Sequence, residues 1–167
     1  MRHVVPPTVW RMAETVDPLL EQTVDIVAPP ERVWALVQDL PRLAEWSPQV
    51  VRSFLRTPGP VRLGSRLLNV NRRGLLVWPT RSKVVRFTPH EEIAFRIKEN
   101  RSIWSFTLTP TADGGTHLVH QRATPDGLSD VSIRLTKVAF GGQAGFGPEL
   151  VRGMRQTLDR IKAECER

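Results

Sequence analysis

The last stretch of the chain, Gly147 to Cys165, reads GPELVRGMRQTLDRIKAEC and constrains the fold more than any other. Gly147 is predicted as an N-cap and Pro148 as the first helical residue, where a missing N–H is no loss and the fixed φ suits the turn. Leu150, Met154, Leu158, Ile161 and Cys165 then recur at intervals of three and four, which puts them in one apolar stripe. Arg152, Arg155, Asp159, Arg160, Lys162 and Glu164 take the opposite side. Such a stripe has to be covered, and between Leu19 and Ala123 the chain offers mostly strands to cover it. The expected fold is therefore α+β: a curved antiparallel sheet of about seven strands around the long C-terminal helix, with two short helices after the first strand. A layer of this kind readily encloses a cavity.

The strands follow from alternation and turn chemistry. Leu19 to Val27 alternates, with Leu20, Gln22, Val24 and Ile26 on one side, and Ala28-Pro29-Pro30 ends it. Pro30 opens a short helix over Glu31 to Gln38, with Glu31 near its positive end and Val33, Trp34 and Val37 as apolar contacts. Asp39 and Pro41 restart the chain as a second helix, Arg42 to Trp46, which Pro48 terminates. Six strands follow, roughly Val50 to Leu55, Ser65 to Asn71, Leu75 to Phe87, Glu92 to Glu99, Ser102 to Pro110 and Thr116 to Ala123. Their separators, such as Arg72-Arg73-Gly74 and Asp113-Gly114-Gly115, are turn sequences. Pro79 marks an edge, a bulge or a bend, because it cannot donate to a ladder. Leu128 to Phe140 has helical spacing, and Gly141, Gly142 and Gly145 then break it. This region is either a lid over the helix–sheet space or a packed connection that needs glycine for its turns. Residues 1–18, with Pro6, Pro7 and Pro18, are expected to form an N-terminal arm, with Trp10 as its anchor, ahead of a single domain over residues 19–167.

Composition excludes several classes. A net charge of +7 invites a nucleic-acid reading, but all but four of the 24 basic residues are Arg, and they are scattered from Arg2 to Arg167. A phosphate-tracking surface gathers its charge on one face or in short runs, so no specific nucleic-acid partner is expected. No apolar run approaches the ~18 residues of a membrane span, and the start lacks the apolar segment of a signal peptide, which makes the cytoplasm the expected compartment. The single Cys165 sits on the helix stripe and is expected to pack as a small apolar residue. The four histidines and one cysteine show no metal-ligand spacing, and the glycine-rich GGQAG lacks the spacing of a phosphate loop, so no metal and no cofactor are expected.

The passage VDIVAPPERVWALVQDLPRLAEWSP, Val24 to Pro48, carries a strand ending in Ala-Pro, a helix with Val-Trp, and then Trp-Ser-Pro. In this it resembles the opening of the START-like helix-grip (SRPBCC) superfamily, above all its bacterial polyketide cyclase/dehydrase and lipid-transfer branch. TLTPTADGGTHL (Thr107 to Leu118) and GMRQTLDRIKAECE (Gly153 to Glu166) resemble the last hairpin and closing helix of the same branch. The resemblance implies a cavity between the concave sheet face and the last helix, filled by a hydrophobic or aromatic small molecule that is lipid- or polyketide-like. It leaves the activity open, because the superfamily holds cyclases, carriers, receptors and chaperone partners on one fold. A polyketide cyclase/dehydratase using that cavity, and a protein-interaction module with no ligand, are the alternatives.

Strand parity names the residues that would line the space. Trp104, Phe106 and Leu108 share one face of their strand, and Ile93, Phe95 and Ile97 share another; Trp78, Thr80, Ser82 and Val84, then Leu67, Asn69 and Asn71, then Thr116, Leu118 and His120 form the remaining inward sets. The expected ligand-binding residues are Asn71, Trp78, Thr80, Ser82, Phe95, Trp104, Phe106, Leu118 and Phe140, opposite Leu150, Met154 and Leu158. His120 is the catalytic candidate: a neutral imidazole on an inward face could polarise a carbonyl or move a proton during cyclisation or dehydration, although a strand histidine can equally be a hydrogen-bonded structural residue. Trp34 and Trp46 are expected in the core, while Trp78 and Trp104 are either core or ligand-stacking surface.

Overall fold

The computed structural model describes residues 18–130, 132–134 and 143–167. The predicted arm before Pro18, most of the predicted Leu128 to Phe140 helix, and Gly141 and Gly142 lie outside the described residues. Seven strands form one curved, open antiparallel sheet: β1 (Leu19–Ile26), β2 (Val50–Leu55), β3 (Arg66–Arg73), β4 (Leu76–Thr88), β5 (Glu92–Ile97), β6 (Ile103–Pro110) and β7 (Thr116–Ala123), in the order β1-β7-β6-β5-β4-β3-β2. From β2 to β7 the chain is a meander whose hairpins turn at residues such as Gly74 (φ 58°) and Gly114 (φ 83°), where glycine adopts the left-handed conformation without a Cβ clash. β1 closes the far side by pairing with β7, Leu19 opposite Ala123 and Ile26 opposite Thr116.

Consecutive strands β1 and β2 thus sit at opposite edges, and the link between them has to cross the sheet. It does so through α1 (Pro30–Val37), a 3-10 turn at Leu40–Arg42, and α2 (Leu43–Trp46). Pro30 stands in the first turn of α1 as expected, and Val33, Trp34 and Val37 are buried beneath it. Trp34 and Trp46, each 3% exposed, belong to the core.

The C-terminal helix, α3 (Gln143–Cys165), corrects one expectation. It starts about a turn before Gly147, with Pro148 inside it instead of at its first position. Proline keeps a helical φ, and this close to the N-terminus it forfeits only one backbone hydrogen bond, so helix can extend upstream of it. The stripe itself is as predicted: Leu150, Met154, Leu158, Ile161 and Cys165 are all buried. Its C-terminal part (Leu158, Ile161, Cys165) packs into the main core with α1, α2 and the inner sheet face, while Leu150 and Met154 join Leu20, Trp104 and Phe146 in a second cluster. Glu164, on the polar side, is not left to solvent. Its carboxylate accepts from Arg42 Nη2 at 2.6 Å and Trp46 Nε1 at 2.9 Å, tying α3 to α2. Gly153 lets the helix come close at its middle, since a Cβ there would meet Pro48 Cγ at 3.3 Å.

Pro79 proves to mark a local edge. β4 is the longest strand, and its pairing with β5 begins only at Ser82 opposite Ile97. Before that point it has β3 on one side, with Val70 opposite Pro79, and, among the described residues, no strand on the other. The missing N–H therefore breaks no ladder.

Candidate functional site

Between the inner face of the sheet, the middle of α3 and the α2–β2 corner lies a cavity of about 290 Å³. Asn71 from β3, Trp78 and Thr80 from β4, Phe95 from β5, Trp104 from β6, His120 from β7, and Leu150 and Met154 from α3 line it together. Four other predicted residues share these faces but fall outside its wall. Phe106, Leu118 and Leu158 are buried in the core, and Ser82 is a buried acceptor 3.4 Å from Asn69 Nδ2. Phe140 lies outside the described residues.

The wall is aromatic on one side and polar on the other, because the inward positions of β5 and β6 are apolar whereas those of β3 and β4 are amides and hydroxyls. Asn71 Nδ2 donates to Thr80 Oγ1 at 3.0 Å and to the Trp78 carbonyl at 3.3 Å, and Ser53 Oγ donates to Asn69 Oδ1 at 2.6 Å. Asn69 and Asn71 are thereby held as a rail beside Trp78. At the open edge of β4, Glu99 also reaches the wall. Its two oxygens accept from the backbone N–H and the Nε of Arg81, each at 2.9 Å.

His120 is 4% exposed and sandwiched by aromatics: its ring stacks on Phe106 at 4.2 Å and 6°, and lies 5.5 Å from Trp104. Nδ1 is 3.0 Å from the Ser105 carbonyl oxygen. A carbonyl only accepts, so Nδ1 carries the hydrogen and Nε2 is left with a lone pair. Burial pushes the imidazole pKa down to about 4, against a smaller upward pull from that hydrogen bond. At neutral pH the residue is a fixed, uncharged acceptor. His117 alternates to the outer face and meets Asp25 at 2.6 Å, and His90 sits near Trp34. Cys165 is buried, and burial pushes its thiol up to about 11, so it packs as a protonated, unreactive group.

Arg122 is one member of the wall that the sequence did not single out. Two residues beyond His120 on β7, it follows the same parity and is 4% exposed, with Cζ 6.0 Å from the Trp104 ring centroid. Burial lowers its pKa to about 10, which leaves it a cation at neutral pH. The signal was in the parity, but an arginine at a strand end reads as a solvent-facing terminus. Phe146 was missed because the helix was expected to start at Gly147, which placed it in the preceding loop.

A seven-stranded sheet gripping one long helix over an aromatic cavity defines a helix-grip, ligand-binding fold. The chain belongs to the family described as polyketide cyclase / dehydrase and lipid transport, whose model matches residues 18–166. No curated protein matches the sequence significantly. Among solved structures it is similar to DR_A0006 from Deinococcus radiodurans, at 17% identity over 89% of this chain and 97% of that one, with a TM-score of 0.63. It is also similar to StfQ, a di-domain ARO/CYC of the steffimycin biosynthetic pathway (17% identity, 89% of this chain, 50% of that one, TM-score 0.65). BexL, a di-domain ARO/CYC of the BE-7585A pathway, is 25% identical over 89% of this chain and 50% of its own, with a TM-score of 0.62. The chain spans half the length of each of these two di-domain proteins. Among the described residues no helix is long and apolar enough to cross a membrane.

Proposed function

We propose that the protein binds a hydrophobic or aromatic small molecule in the space between the sheet and α3. The observation that carries this reading is the cavity itself: about 290 Å³, with Phe95 and Trp104 on one wall and Asn69, Asn71 and Thr80 on the other. Small-molecule sites combine apolar walls with a few convergent polar groups in this way, and the volume is at the lower end of their range of roughly 300 to 1,000 Å³. A compact ring system suits it better than a long lipid chain. The family and the two ARO/CYC neighbours support a ligand of this kind. N-phenyl-1-naphthylamine, a neutral apolar fluorophore, is expected to bind with saturable one-to-one stoichiometry and to be displaced by compact aromatic compounds. Fluorescence that rises without saturation would remove the reading.

A second reading, catalysis of a cyclisation or dehydration, is favoured by one observation: the Nε2 lone pair of His120, in a fixed tautomer on the cavity wall. There, most of the acceleration would come from holding a flexible ketone-rich chain folded, with His120 taking a proton. In that case His120→Gln is expected to abolish turnover and leave ligand affinity nearly unchanged, because contacts made only in the transition state affect rate rather than binding. Parallel loss of affinity and of folded protein would make the histidine structural.

A further inference from the structure

Arginine is almost never fully buried without a partner. Arg122 is 4% exposed, and its cross-strand neighbours are Leu20 on β1 and Trp104 on β6, neither of which offers an acceptor side chain. Among the described residues no carboxylate, carbonyl or hydroxyl accepts a hydrogen bond from its guanidinium. Glu99, the acidic residue of the cavity wall, is bonded to Arg81 at 2.9 Å and so is already engaged. Among the described residues only the face of Trp104, at 6.0 Å, meets the charge, and a cation–π contact does not use the five N–H donors. The side chain is on the inward parity of β7 and forms part of the cavity wall.

A desolvated charge with free donors is expensive for the folded state, and the fold gains nothing visible from it. The gain would come when an anion enters. Two parallel N–H donors of a guanidinium match a carboxylate bidentately, and in a dry site the pair is far stronger than in water. We propose that the ligand of this cavity is an apolar carboxylic acid, its carboxylate seated on Arg122 and its apolar body lying along Trp104 and Phe95. This rests on the reading that the cavity takes an apolar small molecule, and it specifies that molecule's charged end.

The test uses the whole 167-residue chain and three probes. N-phenyl-1-naphthylamine reports occupancy, and 2-naphthoate and its neutral analogue 2-naphthamide compete with it. In the wild type the acid is expected to bind at least tenfold more tightly than the amide, and this preference should survive 0.5 M salt, because a buried pair is screened far less than the scattered surface arginines. In Arg122→Met the preference should disappear while the fluorophore still binds, and the apo protein should melt no lower than wild type, since an unpaired buried charge has been removed. Arg122→Lys, which keeps the charge but loses the fork, should recover part of the preference. Equal binding of acid and amide by the wild type, or a preference that persists in Arg122→Met, would overturn the assignment. Failure of the neutral fluorophore to bind at all would instead remove the apolar-ligand reading beneath it, and the assignment with it.

Discussion

Between pH 7 and pH 4 the protein is expected to lose about 3 kcal/mol of folding stability through His120 alone. Burial among Trp104 and Phe106 pushes its pKa down to about 4 from the ordinary 6.5. Because the folded value lies below the unfolded one, the unfolded chain takes up the proton first, and stability falls as the pH drops through 6.5. The loss reaches about 2 kcal/mol by pH 5 and levels off below pH 4, where both states are protonated. For a domain whose whole stability is about 5 to 15 kcal/mol, that is a large fraction. Glu164 and Glu166, whose carboxyls are held below their usual range by hydrogen bonds chiefly from Arg42 and from the Val27 backbone N–H, add their own loss only at lower pH. The window from pH 6.5 to 4.5 therefore isolates the histidine. Denaturant titrations across it should show the slope in the wild type and a flatter profile in His120→Gln. An identical slope in both proteins would mean that the imidazole is solvated and that the cavity reaches water at that point.

Most of the fold was legible because two periods, 2 and 3.6, were enforced by burial on one side only. The α3 stripe and the inward sets of β3 to β7 are places where a one-residue slip would drive Arg or Lys into the core, so the alternation had to be kept. The N-terminal end of α3 was less legible. Glycine at 147 and proline at 148 look like a start signal, and nothing local reports that the preceding turn is also helical. Within the site, parity separated inside from outside but could not separate cavity from core. Phe95 and Phe106 read alike in sequence. Phe95 lines the cavity together with Met154, whereas Phe106 is buried in the core cluster that also holds Leu158 and Ile161, a division set by tertiary packing. Arg122 was hidden for a different reason: charge is normally evidence of exposure, and a site that keeps a charge buried for its ligand breaks that rule where function requires it.

The account stands on the space beneath Met154 being a binding site, and thermal unfolding of wild type and Met154→Trp, each with and without ligand, tests this most directly. A ligand that occupies the cavity stabilises the folded state by RT ln(1 + [L]/Kd), about 2.7 kcal/mol at a hundredfold excess over Kd. That corresponds to a rise of several degrees in melting temperature for a domain of this size. Met154 is 2% exposed, borders the 290 Å³ cavity, and lies on the same stripe as Leu150. Tryptophan at this position has open volume to enter, so the apo variant should melt close to wild type while the stabilisation by fatty acids, polyphenols or aromatic polyketides disappears. If the region is instead close-packed core, the extra volume should cost roughly 1 to 3 kcal/mol. A destabilised Met154→Trp, together with no compound raising the wild-type melting temperature, would contradict the binding function.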